Sequence, residues 1–245
     1  DYVLACTQEN YPQGEIPYHG RVRHLEIFWD AKSKLLENVH ALLDLVFVSV
    51  LLDGGAGPAW SYQFQGKKVT RSEGLAAASL EWFLAGGFAE NSSRDPWMVS
   101  AAGLVAVDET QLKQHFQVTE NNLLVGLEFR VNALNRLGML LDQQRPADWL
   151  ATFLQKKTIS AEAVFAAIIP LWSQVIMGPL KIGQQHLGDV WPYSIEGKSQ
   201  YVPFHKLGQW LTYSLLDVMH RFGHEIVDLD KLTGLPEYRN GGLFL

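Results

Sequence analysis

Lys206, Gln209 and Tyr213 stand at i, i+3 and i+7 in FHKLGQWLTYSLLDVMHRFG, so a helix there sets an ammonium, an amide and a phenol side by side. Such a stripe can hold a polar ligand. Further on, Glu237, Tyr238, Arg239 and Asn240 pack an acid, a phenol, a guanidinium and an amide into four residues. Gly241 and Gly242 then let the backbone turn or approach another group closely. A carboxylate in this company can activate water or steady an oxocarbenium-like carbon while a donor assists a departing nitrogen. Asp53 is a second candidate carboxylate. It ends the apolar run ALLDLVFVSVLL and opens DGGAGPAW, where it can meet a sugar hydroxyl or the reacting centre, or cap the turn by accepting backbone amides. Trp60, Trp191 and Tyr238 are candidate aromatic walls. On residue types alone a structural reading stays open: Glu237 and Arg239 paired to tie down the last loop, and Lys206 solvated.

Other chemistries have weaker support. No Gly-x-Ser-x-Gly turn occurs, so a serine nucleophile on that pattern is not expected. DGGAGPAW is not a phosphate-binding Walker loop, because no Gly-Lys-Ser/Thr follows. His220 and His224 are four apart with Glu225 beside the second, but Gly223 falls between them and the metalloprotease pattern needs the acid next to the first histidine. No metal and no cofactor are expected. His205 reads as a hydrogen-bonded structural histidine and Cys6 as an inert buried thiol. His19, Arg21, Arg23 and His24 can bind phosphate or a metal, or form a solvated basic turn.

The elements that position these residues read as helices. Apolar residues at 204, 207, 211, 215, 218 and 222 have the spacing of a helix with one buried face, which Gly223 stops. Residues 8–29 form a loop leading into a helix, and the apolar half of 31–52 is read as helix by its length. Residues 65–68 are a polar turn. Ser72 is expected to cap a helix running to Gly86 and Gly87, with Glu73 in the first turn; the alternative is a phosphate held by Arg71, Ser72 and the exposed amides. Further helices are expected over 103–116, 123–137 (ended by Gly138, with Glu128 and Arg130 solvated or paired), 147–157 and 160–175, capped by Ser160. The glycines and proline of 177–188 bend the chain toward the site. No alternating strands stand out, so the expected fold class is mainly α, a single multi-helix domain over 1–245.

Composition agrees with a packed core: 47% hydrophobic residues, eight tryptophans and twelve phenylalanines in 245 residues. The net charge of −6, with acids and bases interspersed, gives no basic stripe for a nucleic acid. No apolar run approaches the roughly twenty residues that span a bilayer, no signal-peptide pattern opens the chain, and one cysteine rules out an internal disulfide. A cytoplasmic protein without membrane or nucleic-acid partners is expected.

LTGLPEYRNGGLF, FHKLGQWLTYSLL, LLDGGAGPAW and RSEGLAAASLEWFLAGGF, in that setting and order, resemble the microbial uracil-catabolism family of URC4/Urg3 type, a domain of unknown function. The likeness covers most of the chain, and the family extends further at both ends, so this chain is expected to be a trimmed piece. It departs from the family pattern at Gly20, Val22 and Ile27-Phe28-Trp29. FHKLGQWL and LTGLPEYR are also similar to segments of queuosine-phosphate N-glycosylases, which implies a helical, DNA-glycosylase-like fold and an N-ribosyl hydrolase. On that resemblance Glu237 is the acid/base or electrostatic carboxylate, Lys206 polarises it or binds substrate, and Arg239 holds phosphate or the leaving group. Asp53 is a third catalytic candidate, and Tyr238, Gln209, Tyr213, Trp60, Trp191 and Asn240 bind substrate. The implied substrate is a ribosylated or phosphoribosylated pyrimidine breakdown product such as a ribosylurea. The alternatives are a non-catalytic metabolite- or partner-binding protein of the same pathway, and a lyase or hydrolase of an acyclic ureide.

Overall fold

Side chains that alternate between water and core every three or four positions wind into helices, and those helices meet along their apolar stripes. The computed structural model describes residues 20–28, 34–91, 94–195 and 197–235. Ten α-helices occur among them: α1 (Arg21–Glu26), α2 (Val39–Leu51), α3 (Arg71–Leu84), α4 (Ala101–Val105), α5 (Glu109–His115), α6 (Leu127–Leu141), α7 (Pro146–Trp149), α8 (Ala151–Leu154), α9 (Ala161–Val175) and α10 (Lys206–Arg221). Cys6, His19 and the cluster Glu237, Tyr238, Arg239 and Asn240 lie outside the described residues.

α2 is the hub. Every residue from 41 to 51 is buried, and the helix packs against α1, α3, α6, α7 and α10. A segment buried on all sides has no polar stripe, which is why its period could not distinguish helix from strand. Asn38 settles the start by accepting the Ala41 amide at 3.1 Å. One cluster of buried apolar side chains runs from Val22 to Ile226. Its members contribute about 1.5–3 kcal/mol each where large and fully enclosed.

The expectation of a mainly α fold is overturned. Among the described residues eight strands accompany the helices, in four two-stranded sheets, making a mixed α and β architecture. β1 (Tyr62–Phe64) and β2 (Lys67–Val69) form a hairpin around Gln65 and Gly66, both at positive φ. β3 (Thr158–Ser160) pairs parallel with β8 (Glu225–Val227). β4 (Lys181–Ile182) and β5 (Gln185–His186) form a second hairpin. β6 (Val190–Ile195) and β7 (Lys198–Pro203) form the longest, in register from Val190 opposite Pro203 to Ile195 opposite Lys198. These strands are short and mostly exposed, so they carry no alternating apolar pattern.

Helix boundaries also move, and the short helix expected over 147–157 is two, α7 and α8, with Leu150 between them. The helix expected over 103–116 is two, because Asp108 builds a capping box with Gln111 and restarts the chain as α5. Gly138 does not end α6 but lies inside it. A Cβ there would sit 2.7 Å from the Ala101 carbonyl oxygen, so the glycine lets α4 lie directly on α6. Ser72 is not a cap: α3 begins at Arg71, and the Ser72 hydroxyl instead donates to Asp53 at 3.3 Å.

Candidate functional site

α10 carries the polar stripe expected of it, and its members have distinct jobs. Gln209 is 3% exposed and Tyr213 6% exposed. The Gln209 amide donates to the Thr233 carbonyl and, at 2.8 Å, to the Thr233 hydroxyl; the Tyr213 hydroxyl donates to the same carbonyl at 2.7 Å. Burial raises the Tyr213 pKa, so the phenol keeps its proton as a donor. Two neighbouring turns of α10 therefore grip the chain four residues before Glu237. Lys206 is half-buried on the same stripe, one turn toward the N-terminus.

The entrance to α10 is organised by Asp189. One carboxylate oxygen accepts the Lys206 amide at 3.1 Å, the other accepts the Trp191 indole N–H at 2.8 Å, and its carbonyl accepts the Phe204 amide at 2.9 Å. An anion at the first turn suits the helix dipole. Trp191 is 50% exposed, so the hairpin β6–β7 brings an open aromatic face to the start of α10. Lys206, Gln209, Tyr213 and Trp191 are thus brought to one helix, and His205 joins them as the left-handed residue just before it, with φ 44°.

Asp53 and Trp60 are placed elsewhere. Trp60 is 1% exposed, donates its indole N–H to the Phe116 carbonyl at 2.9 Å and packs on Tyr62 and Phe116. It is a core residue rather than a pocket wall. The Asp53 carboxylate pairs with Arg21 at 2.6 Å, and the Ser72 hydroxyl takes its other oxygen. Neither expectation for Asp53 describes this: it caps no turn amides, and it faces a buried cation instead of a cleft.

Sequence reading missed that cation. Arg21 belongs to no solvated basic turn; it is fully buried, donating to Ser49 at 2.7 Å and the Ser72 carbonyl at 3.0 Å and lying 5.5 Å over the Trp210 ring. Burial lowers its pKa and Asp53 opposes the shift. Arg130 is likewise buried rather than solvated. It donates to the carbonyls of Leu52 at 2.7 Å and Gly55 at 2.8 Å and to that of Val125, with its pKa lowered to about 10 by burial. Arg21 holds the carboxylate that opens the DGGAGPAW turn, and Arg130 holds the carbonyls of Leu52 and Gly55 around it. A signal was present in each case: Arg21 shares a stripe with Leu25 and Phe28, and Arg130 with Leu134, Leu137 and Leu141.

Of the histidines weighed for a metal, His220 is exposed, and a His224 ring nitrogen lies 2.7 Å from the Lys156 carbonyl oxygen. Glu225 accepts the Thr158 hydroxyl at 3.1 Å. Among the described residues no helix is long and apolar enough to cross a membrane.

Comparison with known proteins agrees with this sequence along its whole length. A protein named urg3 from Schizosaccharomyces pombe is 38% identical over 267 residues, and Uracil catabolism protein 4 from Lachancea kluyveri is 32% identical over 287. Each match covers 100% of this chain and 65% of the relative, so the chain spans somewhat less than two thirds of the proteins it resembles. The profile of a family described as protein of unknown function DUF1688 matches residues 1–245. The chain belongs to that DUF1688 family.

Proposed function

We propose that this chain serves in uracil catabolism as an N-ribosyl hydrolase acting on a ribosylurea or a nucleotide-like intermediate. One relative bears the name of a uracil catabolism protein, which supports the pathway. The observation that carries the chemistry is the grip of Gln209 and Tyr213 on Thr233. Four residues of chain reach at most about 14 Å, and one helical turn separates Gln209 from Lys206 by only about 5 Å. Thr233, four residues before Glu237 in the sequence, is therefore held on the stretch of α10 that begins with Lys206.

In this reading Glu237 takes a proton from water as the oxygen attacks C1′ of the ribose. The C1′–N bond breaks, its electron pair stays on nitrogen, and a proton delivered to that nitrogen releases urea and a ribose product. Lys206 positions or polarises the carboxylate, and Arg239 binds phosphate or the leaving group. Trp191 walls the substrate from the hairpin side, and Tyr238 and Asn240 complete the binding set. Asp53, held by Arg21, and Trp60, in the core, are left out.

The test is turnover. Full-length protein given ribosylurea, with and without a 5-phosphate, is expected to release urea, and Glu237→Gln and Lys206→Met are each expected to lower kcat at least a hundredfold while remaining folded. Equal urea release by Glu237→Gln and the unchanged protein refutes the assignment. Tight binding of ribosylurea with no urea released selects a metabolite-binding protein instead.

A further inference from the structure

Behind the entrance to α10 lies a cleft of about 230 Å³, lined by Ile169, Pro170 and Ser173 of α9, by Gln185, His186 and Leu187 at the β4–β5 hairpin, and by Val190 and His205. Its volume is below the ~300 Å³ at which pockets begin to enclose drug-sized ligands, so it suits a fragment of one ring or less. None of the lining side chains carries a carboxylate, ammonium or guanidinium, which disfavours a phosphate. The walls are apolar, with an amide, a hydroxyl and two imidazoles as the polar groups.

The histidines are fixed by their surroundings. Nδ1 of His186 lies 3.2 Å from the Gly178 carbonyl oxygen, an acceptor, so Nδ1 is the nitrogen that donates there, and the tautomer that meets this contact leaves Nε2 to accept an N–H. Gly178 is itself pinned: a Cβ there would lie 1.6 Å from the Gly188 carbonyl oxygen, so the neck of this hairpin closes only on glycine. His205 sits at φ 44° and ψ 36°, a left-handed conformation that a side chain resists. Backbone held there beside a cleft belongs to the kind of local strain that collects at binding sites. Burial lowers the His205 pKa, against the pull of Asp189, so the ring is neutral at neutral pH and offers one donor and one acceptor.

We infer that this cleft is a subsite for a planar, uncharged ureide edge, the N–H, C=O, N–H sequence shared by uracil and by a ring-opened ureide, read by His186 and His205. The edge presents donors on either side of an acceptor. Nε2 of His186 answers an N–H, and His205 and Gln185 can answer the carbonyl and the second N–H. Lys206 follows His205 directly, so a fragment seated here lies beside the proposed reaction centre. The inference rests on the hydrolase reading for what the fragment is attached to, and on the cleft alone for where it binds.

Full-length protein would be titrated with uracil, with ribosylurea and with ribose 5-phosphate, following affinity by calorimetry and the histidine ring resonances by NMR. Uracil or ribosylurea is expected to move the His186 and His205 signals, and ribose 5-phosphate to leave them in place. Tighter binding of uracil assigns the site to the closed ring, and tighter binding of ribosylurea to the opened one. Leu187→Trp, which fills the cleft, is expected to weaken binding at least tenfold. His205→Gly is expected to do the same with the melting temperature unchanged or raised, because glycine accepts the left-handed conformation. Unchanged affinity in both variants, or resonance shifts confined to other residues, overturns the subsite. If urea release and its KM are unaltered in both variants, the subsite falls and the hydrolase stands. If binding at the two histidines persists with no turnover, the hydrolase falls and the subsite stands.

Discussion

Asp53 is 8% exposed and faces a buried guanidinium, whereas Asp189 is half-buried and turns its carboxylate to the entrance of a half-buried helix end. Both follow a bend or the end of an apolar run, and both have a tryptophan close behind. Around Asp53 the acceptors meet donors of the core, namely Arg21 and Ser72, and the neighbouring turn carbonyls meet Arg130. Around Asp189 the partners are a backbone amide and a half-exposed indole, with a cleft, a lysine and a strained histidine alongside. A charge whose bonds all run inward holds a fold together; a charge that orders an open helix end can serve a ligand.

That contrast can be broken most sharply at Arg21. Arg21→Met leaves the Asp53 carboxylate buried and unpaired, and is expected to cost about 3–5 kcal/mol in urea unfolding. The double replacement Arg21→Met with Asp53→Leu is expected to recover most of it. If Asp53→Asn instead abolishes turnover at full stability, the two carboxylates are not opposites and Asp53 returns as a catalytic residue.

The next effect is at the other guanidinium. Arg130→Met strips donors from the Leu52, Gly55 and Val125 carbonyls and is expected to lose about 2–3 kcal/mol, read from the same unfolding curves. Asp189→Ala is expected to cost only about 1 kcal/mol, the usual worth of a helix cap, yet to raise KM because Trp191 and the α10 entrance lose their anchor. A stability loss as large as that of Arg21→Met would erase the distinction. Tyr213→Phe is expected to cost about 1 kcal/mol or less, with faster amide exchange around Thr233 as the local sign.

The smallest effect is in pH. His115 stacks on Trp82 at 4.8 Å, and burial lowers its pKa below the ordinary 6.5. The unfolded chain then binds a proton that the folded one refuses, so stability is full above pH 6.5 and declines as the pH falls below it. His115→Phe is expected to flatten the acid side of a melting-temperature profile, and an unchanged slope would refute the assignment.

Much of this organisation was legible. The α10 helix, its Lys206, Gln209 and Tyr213 stripe and the Ser160 cap of α9 followed from spacing. What escaped was everything that depends on a partner distant in the chain. Arg21 and Arg130 look solvated until Asp53 and the carbonyls of 52–55 are brought to them. The β-hairpins escaped because short exposed strands bury too little to pattern their residues, and Gly138 misled because a glycine that ends a helix and one that lets another helix approach are the same letter.

By itself the sequence determined the helix stripes, the turn glycines and the family, because periodicity and side-chain type are local properties. Tertiary structure alone decided which charges are sealed and which are open, that Thr233 is held by α10 and that His205 lines a cleft. Burial and ion pairing are relations between segments as far apart as residues 21 and 214, and no local pattern encodes a distance.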